Sequence, residues 1–232
     1  MANYLIVGGT KGIGLETVRQ LNQAGHHLWV VAREVNEALP SSNLHFLALD
    51  ITKETISADF LPEVLDGVVY APGSINLKPF NRLSQEDFLN DWQVNVLGAI
   101  KTLQTVLPML KKSDSASVVL FSTVAVSLGM PFHASIAASK GAIEGLTKSL
   151  AAEFSPKIRV NCIAPSLTNT PLAEKLLNTP EKIEASGKRH PLQRVGNPKE
   201  LAEMACFLLS NSASWMTGQI LHLDGGMSSI KI

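Results

Sequence analysis

Seven residues near the N-terminus narrow the folds open to this chain. Tyr4 to Val7 is a short apolar run, and it opens into Gly8-Gly9-Thr10-Lys11-Gly12-Ile13-Gly14. Helical patterning begins at Gly12 and continues to Ala24, where Gly25 serves as a C-cap. A buried strand that turns through glycines into a helix must cross over to a parallel neighbour, and such crossovers are right-handed. The turn also has a chemical meaning. Glycines let the backbone approach a pyrophosphate, while the helix N-terminus supplies N–H groups and positive potential. A plain tight connection would use the same residues, but the place directly after the first strand favours nucleotide binding.

The rest of the chain repeats the alternation. Apolar runs at His27–Ala32, Leu44–Leu49, Gly67–Tyr70, Ser117–Phe121, Arg159–Ile163 and Gln219–Leu223 read as strands. Ser84, with Asp87 three residues on, caps a long helix to about Leu110. Ser139 to Phe154 is a helix with Ile143, Leu146, Leu150 and Phe154 on one face, and Pro198 to Leu209 is another. The pattern predicts α/β: one doubly wound, Rossmann-type domain over residues 1–232, with a central parallel sheet of about seven strands and helices on both faces. A hydrophobic content of 45% against 17% charged residues suits a sheet covered on both sides.

With 20 basic and 20 acidic residues and no basic run, neither nucleic acid nor a membrane surface is expected as a partner. No stretch is long and apolar enough to span a bilayer, and Met1-Ala2-Asn3 leads straight into a strand, so a cytoplasmic protein is expected. Cys162 and Cys206 read as reduced core thiols. Zero net charge gives little colloidal repulsion, which favours self-association.

Ligands of such sheets bind beyond the carboxyl ends of the strands. There the chain carries Gly-x-x-x-Gly-x-Gly at Gly8–Gly14, Asn95-Val96-Leu97-Gly98, Ser139-Lys140-Gly141, Asp224-Gly225-Gly226, and the stretch from Arg159-Val160-Asn161 through Pro165 to Thr170-Pro171. In that order these motifs resemble the short-chain dehydrogenase/reductase family over essentially the whole chain. The resemblance implies a nicotinamide dinucleotide held by Gly8, Thr10, Lys11, Gly12, Ile13 and Gly14. It implies an adenine contact at Asp50-Ile51, and a turn at Tyr70-Ala71-Pro72-Gly73 of which only the glycine matches strictly, with Ala71 and Gly73 against the cofactor. Asn95 and Lys140 hold its ribose side, and Pro165, Thr168 and Thr170 its carboxamide. No residue is assigned to a metal. The second strand ends Val31-Ala32-Arg33-Glu34. An acidic residue at that end selects NAD and a basic one accommodates the 2′-phosphate of NADP. Arg33, with Lys11, points to NADP; Glu34 points to NAD if the strand ends one residue later.

The resemblance also implies four reacting residues, and one is missing. Asn95 anchors a proton-relay water, Thr123 bonds the substrate oxygen with Ser122 as its neighbouring hydroxyl, and Lys140 lowers the pKa of a tyrosine four residues before it. That position is Ile136, which has no ionisable group. Three groups are candidates for the acid. His133, seven residues before Lys140, is of the residue type that can act as a general acid near neutral pH. Tyr70 sits at a strand end, where covering the adenine–ribose region is its more natural task. Ser135 is expected to contact solvent. An NADPH-dependent reductase of a carbonyl or a conjugated enone or enoyl small molecule fits these residues, and the enone variant tolerates the lost acid better. The alternative is an NADP(H)-binding protein without turnover. Residues 172–195 resemble a substrate lid, with Leu172, Leu176, Leu177 and Ile183 as an apolar wall and Lys175, Lys182, Lys188 and Arg189 solvated. Ala138, Ala142, Gly145 and Ser149 put small side chains along the Lys140 helix, so a homodimer or homotetramer is expected.

Overall fold

The computed structural model describes residues 1–231; Ile232, the last residue of the expected domain, lies outside them. In chain order the strands are β1 Asn3–Val7, β2 His27–Ala32, β3 Leu44–Ala48, β4 Gly67–Tyr70, β5 Ala116–Phe121, β6 Ile158–Pro165 and β7 Ile220–Leu223. The helices are α1 Gly12–Gln23, α2 Gln85–Trp92, α3 Gly98–Leu110, α4 Ala125–Leu128, α5 Ala134–Phe154, α6 Glu174–Leu177, α7 Pro180–Gly187 and α8 Pro198–Leu209. All seven strands are parallel, in the order β3-β2-β1-β4-β5-β6-β7.

Side chains alternate across each strand, so each strand feeds two cores. Leu5, Val7, Val68, Leu120 and Val160 pack on one face, beneath α3 and α5. Ile6, Val30, Val69, Val119 and Ile163 pack on the other, where α8 contributes Leu201 and Leu208 and α1 contributes Val18. The chain runs outward from β1 through β2 to β3, then returns to β4 on β1's other side. The order therefore reverses between β1 and β4, and a crevice opens where their carboxyl ends part. Gly8 after β1 and Ala71-Pro72 after β4 meet there; a Cβ on Gly8 would lie 3.0 Å from Pro72 N.

Two helices differ from the sequence pattern. The expected helix from Ser84 to Leu110 is interrupted by a π turn at Gln93–Leu97. Its cap is as expected: Asp87 N donates to Ser84 Oγ at 3.2 Å, and Ser84 N donates to Asp87 Oδ2 at 3.0 Å. The interruption has a visible cause. Tyr70 Oη donates to Val94 O at 2.6 Å, and a Cβ at Gly98 would stand 2.0 Å from that oxygen. The widened turn and the bare glycine make room for the tyrosine. The second difference is α5, which starts at Ala134 rather than Ser139. Lys140 is thus in its second turn and buried, not at an exposed helix start. Among the described residues no helix is long and apolar enough to cross a membrane.

Candidate functional site

The glycine turn is built for close approach. Gly8 and Gly12 have φ of +78° and +54°, and a Cβ on Gly14 would stand 2.2 Å from Gly8 O. α1 begins with no side chain capping its first N–H groups, which leaves them to an outside acceptor. Thr10 is buried beside the turn, and its carbonyl accepts from Asn36 Nδ2 at 2.7 Å. β2 ends at Ala32, so exposed Arg33 is the first residue beyond it. Lys11 Nζ lies 3.4 Å from Glu34 Oε2, and both side chains are largely exposed. The basic residue and the acid thus both border the turn. Asp50 Oδ1 accepts from Thr52 Oγ1 at 2.7 Å and Thr52 N at 3.0 Å, and these bonds hold its carboxyl below the usual range. Ile51 beside it is buried.

A cavity of about 590 Å³ continues from the crevice. Ile13, Ala71, Gly73, Pro165, Thr168 and Thr170 line one part of it, while Thr123, His133, Ile136 and Lys140 line another. Arg33 and Asp50 lie outside it. Lys140 Nζ donates to Phe121 O at 2.9 Å. Burial lowers its pKa to about 8, against the opposing charge of Asp91. Asn95, buried behind Gly73, is presented by the π turn. Its Nδ2 donates to Asp91 O at 2.8 Å and Ser74 Oγ at 2.9 Å, while its Oδ1 has no partner. A Cβ on Gly73 would fall 3.6 Å from that oxygen and 3.7 Å from Lys140 Nζ. A buried acceptor, an ammonium with protons to spare and a bare glycine between them suit a hydroxyl-rich ligand, and with the glycine turn they fit a nicotinamide dinucleotide.

The reacting part of the cavity holds Thr123, whose Oγ1 accepts from Ala125 N at 3.3 Å. Ser122 also borders the cavity, with its Oγ donating to Glu144 Oε1 at 2.6 Å. Ile136 is only 6% exposed, so an apolar side chain closes the wall one turn before Lys140. His133 Nδ1 stands 2.6 Å from Pro131 O. A carbonyl only accepts, so Nδ1 carries the proton. Nε2 is then a donor only in the imidazolium.

Three expectations are corrected. Tyr70 does not line the cavity and leaves almost no surface to cover a ligand. It is 2% exposed, held to Val94 O, and burial and the charge of Asp50 raise its pKa. Ser135 meets no solvent; it is 1% exposed and donates to Asp91 Oδ2 at 2.6 Å. In the lid segment, Leu172 and Leu176 line the cavity, but Leu177 and Ile183 do not; Arg189 is exposed, as expected, and also stands on its wall.

Several cavity groups escaped the sequence reading. Ser74 and Met227 line it, and so do Ser166 and buried His190. His190 Nδ1 lies 2.9 Å from Ser186 O, so its Nε2 accepts from Ser166 Oγ at 2.7 Å. Phe132 stands at the cavity in the left-handed region, φ +68°, a strain of the kind that collects at functional sites. Asp91 had a signal: it falls four residues before Asn95, a charge on a helix's buried stripe.

A family model described as "Enoyl-(Acyl carrier protein) reductase" matches residues 7–228. A tropinone reductase homolog of Arabidopsis thaliana is 32% identical, over 97% of this chain and 92% of its own. The 3-oxoacyl-(acyl-carrier-protein) reductase of Thermotoga maritima is 33% identical, over 96% of both chains. Among solved structures, ElxO with NADP bound superposes with a TM-score of 0.88 at 26% identity, covering 99% of this chain and 100% of its own.

Proposed function

The chain belongs to the short-chain dehydrogenase/reductase family of NAD(P)-dependent oxidoreductases, and on that premise we propose that it is an NADPH-dependent reductase of an apolar carbonyl or conjugated enone. The observation that carries this reading is the single cavity shared by two sets of residues. Pro165 and Thr168 belong to the cofactor set, Thr123 and Lys140 to the reacting set, and Met130, Leu172 and Leu176 give apolar lining.

In this reading the glycine turn and the start of α1 hold the pyrophosphate, Arg33 the 2′-phosphate and Asp50 the adenine. Asn95 and Lys140 hold the ribose beside the nicotinamide, and Thr170 its carboxamide. The bound NADPH supplies a hydride. The Thr123 hydroxyl donates a hydrogen bond to the substrate oxygen, where negative charge develops. The Lys140 ammonium adds field in a low-dielectric setting. His133 could serve as an acid only as the imidazolium, since its Nδ1–H is committed to Pro131 O. Conjugate reduction places the hydride on carbon and needs only stabilisation at oxygen, which suits a site with Ile136 in its wall. The 3-oxoacyl reductase relative supports carbonyl chemistry, the family model's description supports enoyl chemistry, and ElxO with NADP bound supports the cofactor choice.

Ile136 favours one other reading, a protein that binds NADPH without turning it over. The experiment that decides is NADPH oxidation across a panel of apolar ketones and enones, run beside NADPH titration by fluorescence. The reductase reading expects turnover that falls about 10²-fold or more in Thr123→Val and changes in His133→Ala. Tight binding with no oxidation, and activity gained by Ile136→Tyr, contradicts it and favours the second reading. Exposed Ala138, Gly145 and Ser149 on α5 support self-association as a homodimer or homotetramer, and a monomer mass by light scattering contradicts it.

A further inference from the structure

A buried carboxylate stands beside the cavity with no task in the reading above. Asp91 is 2% exposed, in the last turn of α2. Its Oδ1 accepts from Ser74 Oγ at 2.5 Å and its Oδ2 from Ser135 Oγ at 2.6 Å. Both partners are neutral. Buried charges are ordinarily paired with an opposite charge. A short chain of hydrogen bonds nonetheless leads from it to the cavity. Ser74 lines the wall, and its Oγ also accepts from Asn95 Nδ2 at 2.9 Å. A hydroxyl has one proton and two lone pairs. The proton points at Asp91 and Asn95 occupies one lone pair. The second lone pair is left for a donor in the cavity.

We propose that Ser74 and Asp91 form a proton relay in place of the hydroxyl that Ile136 cannot supply. Ser74 is the catalytic residue touching the substrate oxygen, and Asp91 is the positioning residue that holds the proton behind it. The proposal rests on the oxidoreductase reading. In the alcohol-oxidising direction the substrate O–H bond breaks and its proton passes to Ser74 Oγ. The proton already on Ser74 moves to Asp91 Oδ1, which turns the carboxylate into a neutral acid. The O–H electron pair stays on the substrate oxygen and closes the carbonyl as the C–H bond on the same carbon breaks, its hydride passing to the oxidised nicotinamide that would be the oxidant. In reduction the same protons return: Asp91 to Ser74, and Ser74 to the alkoxide or enolate. The arrangement in the structure, with both hydroxyls donating to Asp91, is the proton-accepting form. Lys140 faces the relay from α5, and the Lys78–Asp87 ion pair lies further back along α2; Ser74→Ala leaves these charges in place, whereas Asp91→Asn also removes a charge that raises the Lys140 pKa.

The test needs no turnover. Para-nitrophenol, a small aromatic acid whose phenolate absorbs in the visible, is titrated into the cofactor-free protein below the free phenol's own pKa. The wild type is expected to bind it largely as phenolate. Ser74→Ala and Asp91→Asn are expected to cut the bound phenolate fraction at least threefold, although Lys140 is present in all three. A wild type that shows no phenolate, or equal phenolate in all three proteins, overturns the relay. On a substrate the wild type reduces, both variants are expected to lower kcat by about 10²–10⁴-fold with little change in KM; an unchanged kcat also overturns it. Failure of the wild type to bind NADPH sinks the oxidoreductase reading instead, and the phenol spectra still decide the relay.

Discussion

Lys140 is a charge held where charge is costly, and that has a measurable consequence. Burial lowers its pKa from 10.5 to about 8. In the unfolded chain the group returns to its ordinary value. Below pH 8 both states carry the proton and the fold bears the full desolvation cost. Between 8 and 10.5 the unfolded chain binds more protons, so this lysine's contribution to stability improves as pH rises. A depression of that size corresponds to about 3 kcal/mol. Lys140→Met is therefore expected to be the more stable protein near neutral pH, by up to that amount less the lost bond to Phe121 O. The gap should narrow as pH approaches 10.5. Paired thermal melts across that range measure it, and a gap that is absent or widens with pH contradicts the account. Thr123, His133, Ile136 and Lys140, which meet in the cavity, were legible from motif spacing, because spacing along a helix or at a strand end fixes direction. Ser74, Ser166 and His190 were not. Each is an ordinary polar residue in sequence, and only the fold shows that it is buried and which partner it has.

The break in the α2–α3 helix argues the same point for elements. Strand bounds followed apolar runs closely, since a strand buried on both faces has to be apolar and ends where glycine or polar residues begin. β2 and β4 start and stop where the runs do. The π turn could not be read this way, because Gln93–Leu97 contains nothing that excludes a regular helix. Its cause lies on β4, in Tyr70. Gly98→Ala sets a methyl against Tyr70 Oη and is expected to cost about 1–3 kcal/mol by overpacking. Tyr70→Phe removes the bond to Val94 O and costs about 1 kcal/mol. In the double variant the obstructing oxygen is gone, so the two costs should sum to less than their parts by about 1 kcal/mol. Urea midpoints of the four proteins close the cycle. Strict additivity means that the tyrosine does not shape the turn.

At the scale of the whole molecule, the sheet order decides where a ligand sits but not which one. The reversal between β1 and β4 brings Gly8 and Ala71-Pro72 together, and the cavity extends from there. Selection between NADPH and NADH is left to residues at the rim. β2 ends at Ala32, so an acid that would bond a ribose 2′-OH is absent from the strand end and Arg33 follows directly. Glu34, two residues past the strand, pairs with Lys11 across an exposed gap. Exposed ion pairs are weak, about 0–1 kcal/mol, so a phosphate dianion can draw Lys11 away at little cost. The guanidinium and the freed ammonium then meet the 2′-phosphate together. NADPH is thus expected to bind at least about tenfold more tightly than NADH, a difference of about 1.4 kcal/mol, and Arg33→Ala should remove most of that preference by weakening NADPH alone. Glu34→Gln should strengthen NADPH binding slightly, because it releases Lys11 and removes a like charge. Raising salt should shrink the preference, since every group involved is exposed to solvent. Equal affinities in the wild type, or an Arg33→Ala variant that loses NADH and NADPH alike, would show that the rim residues do not choose the cofactor.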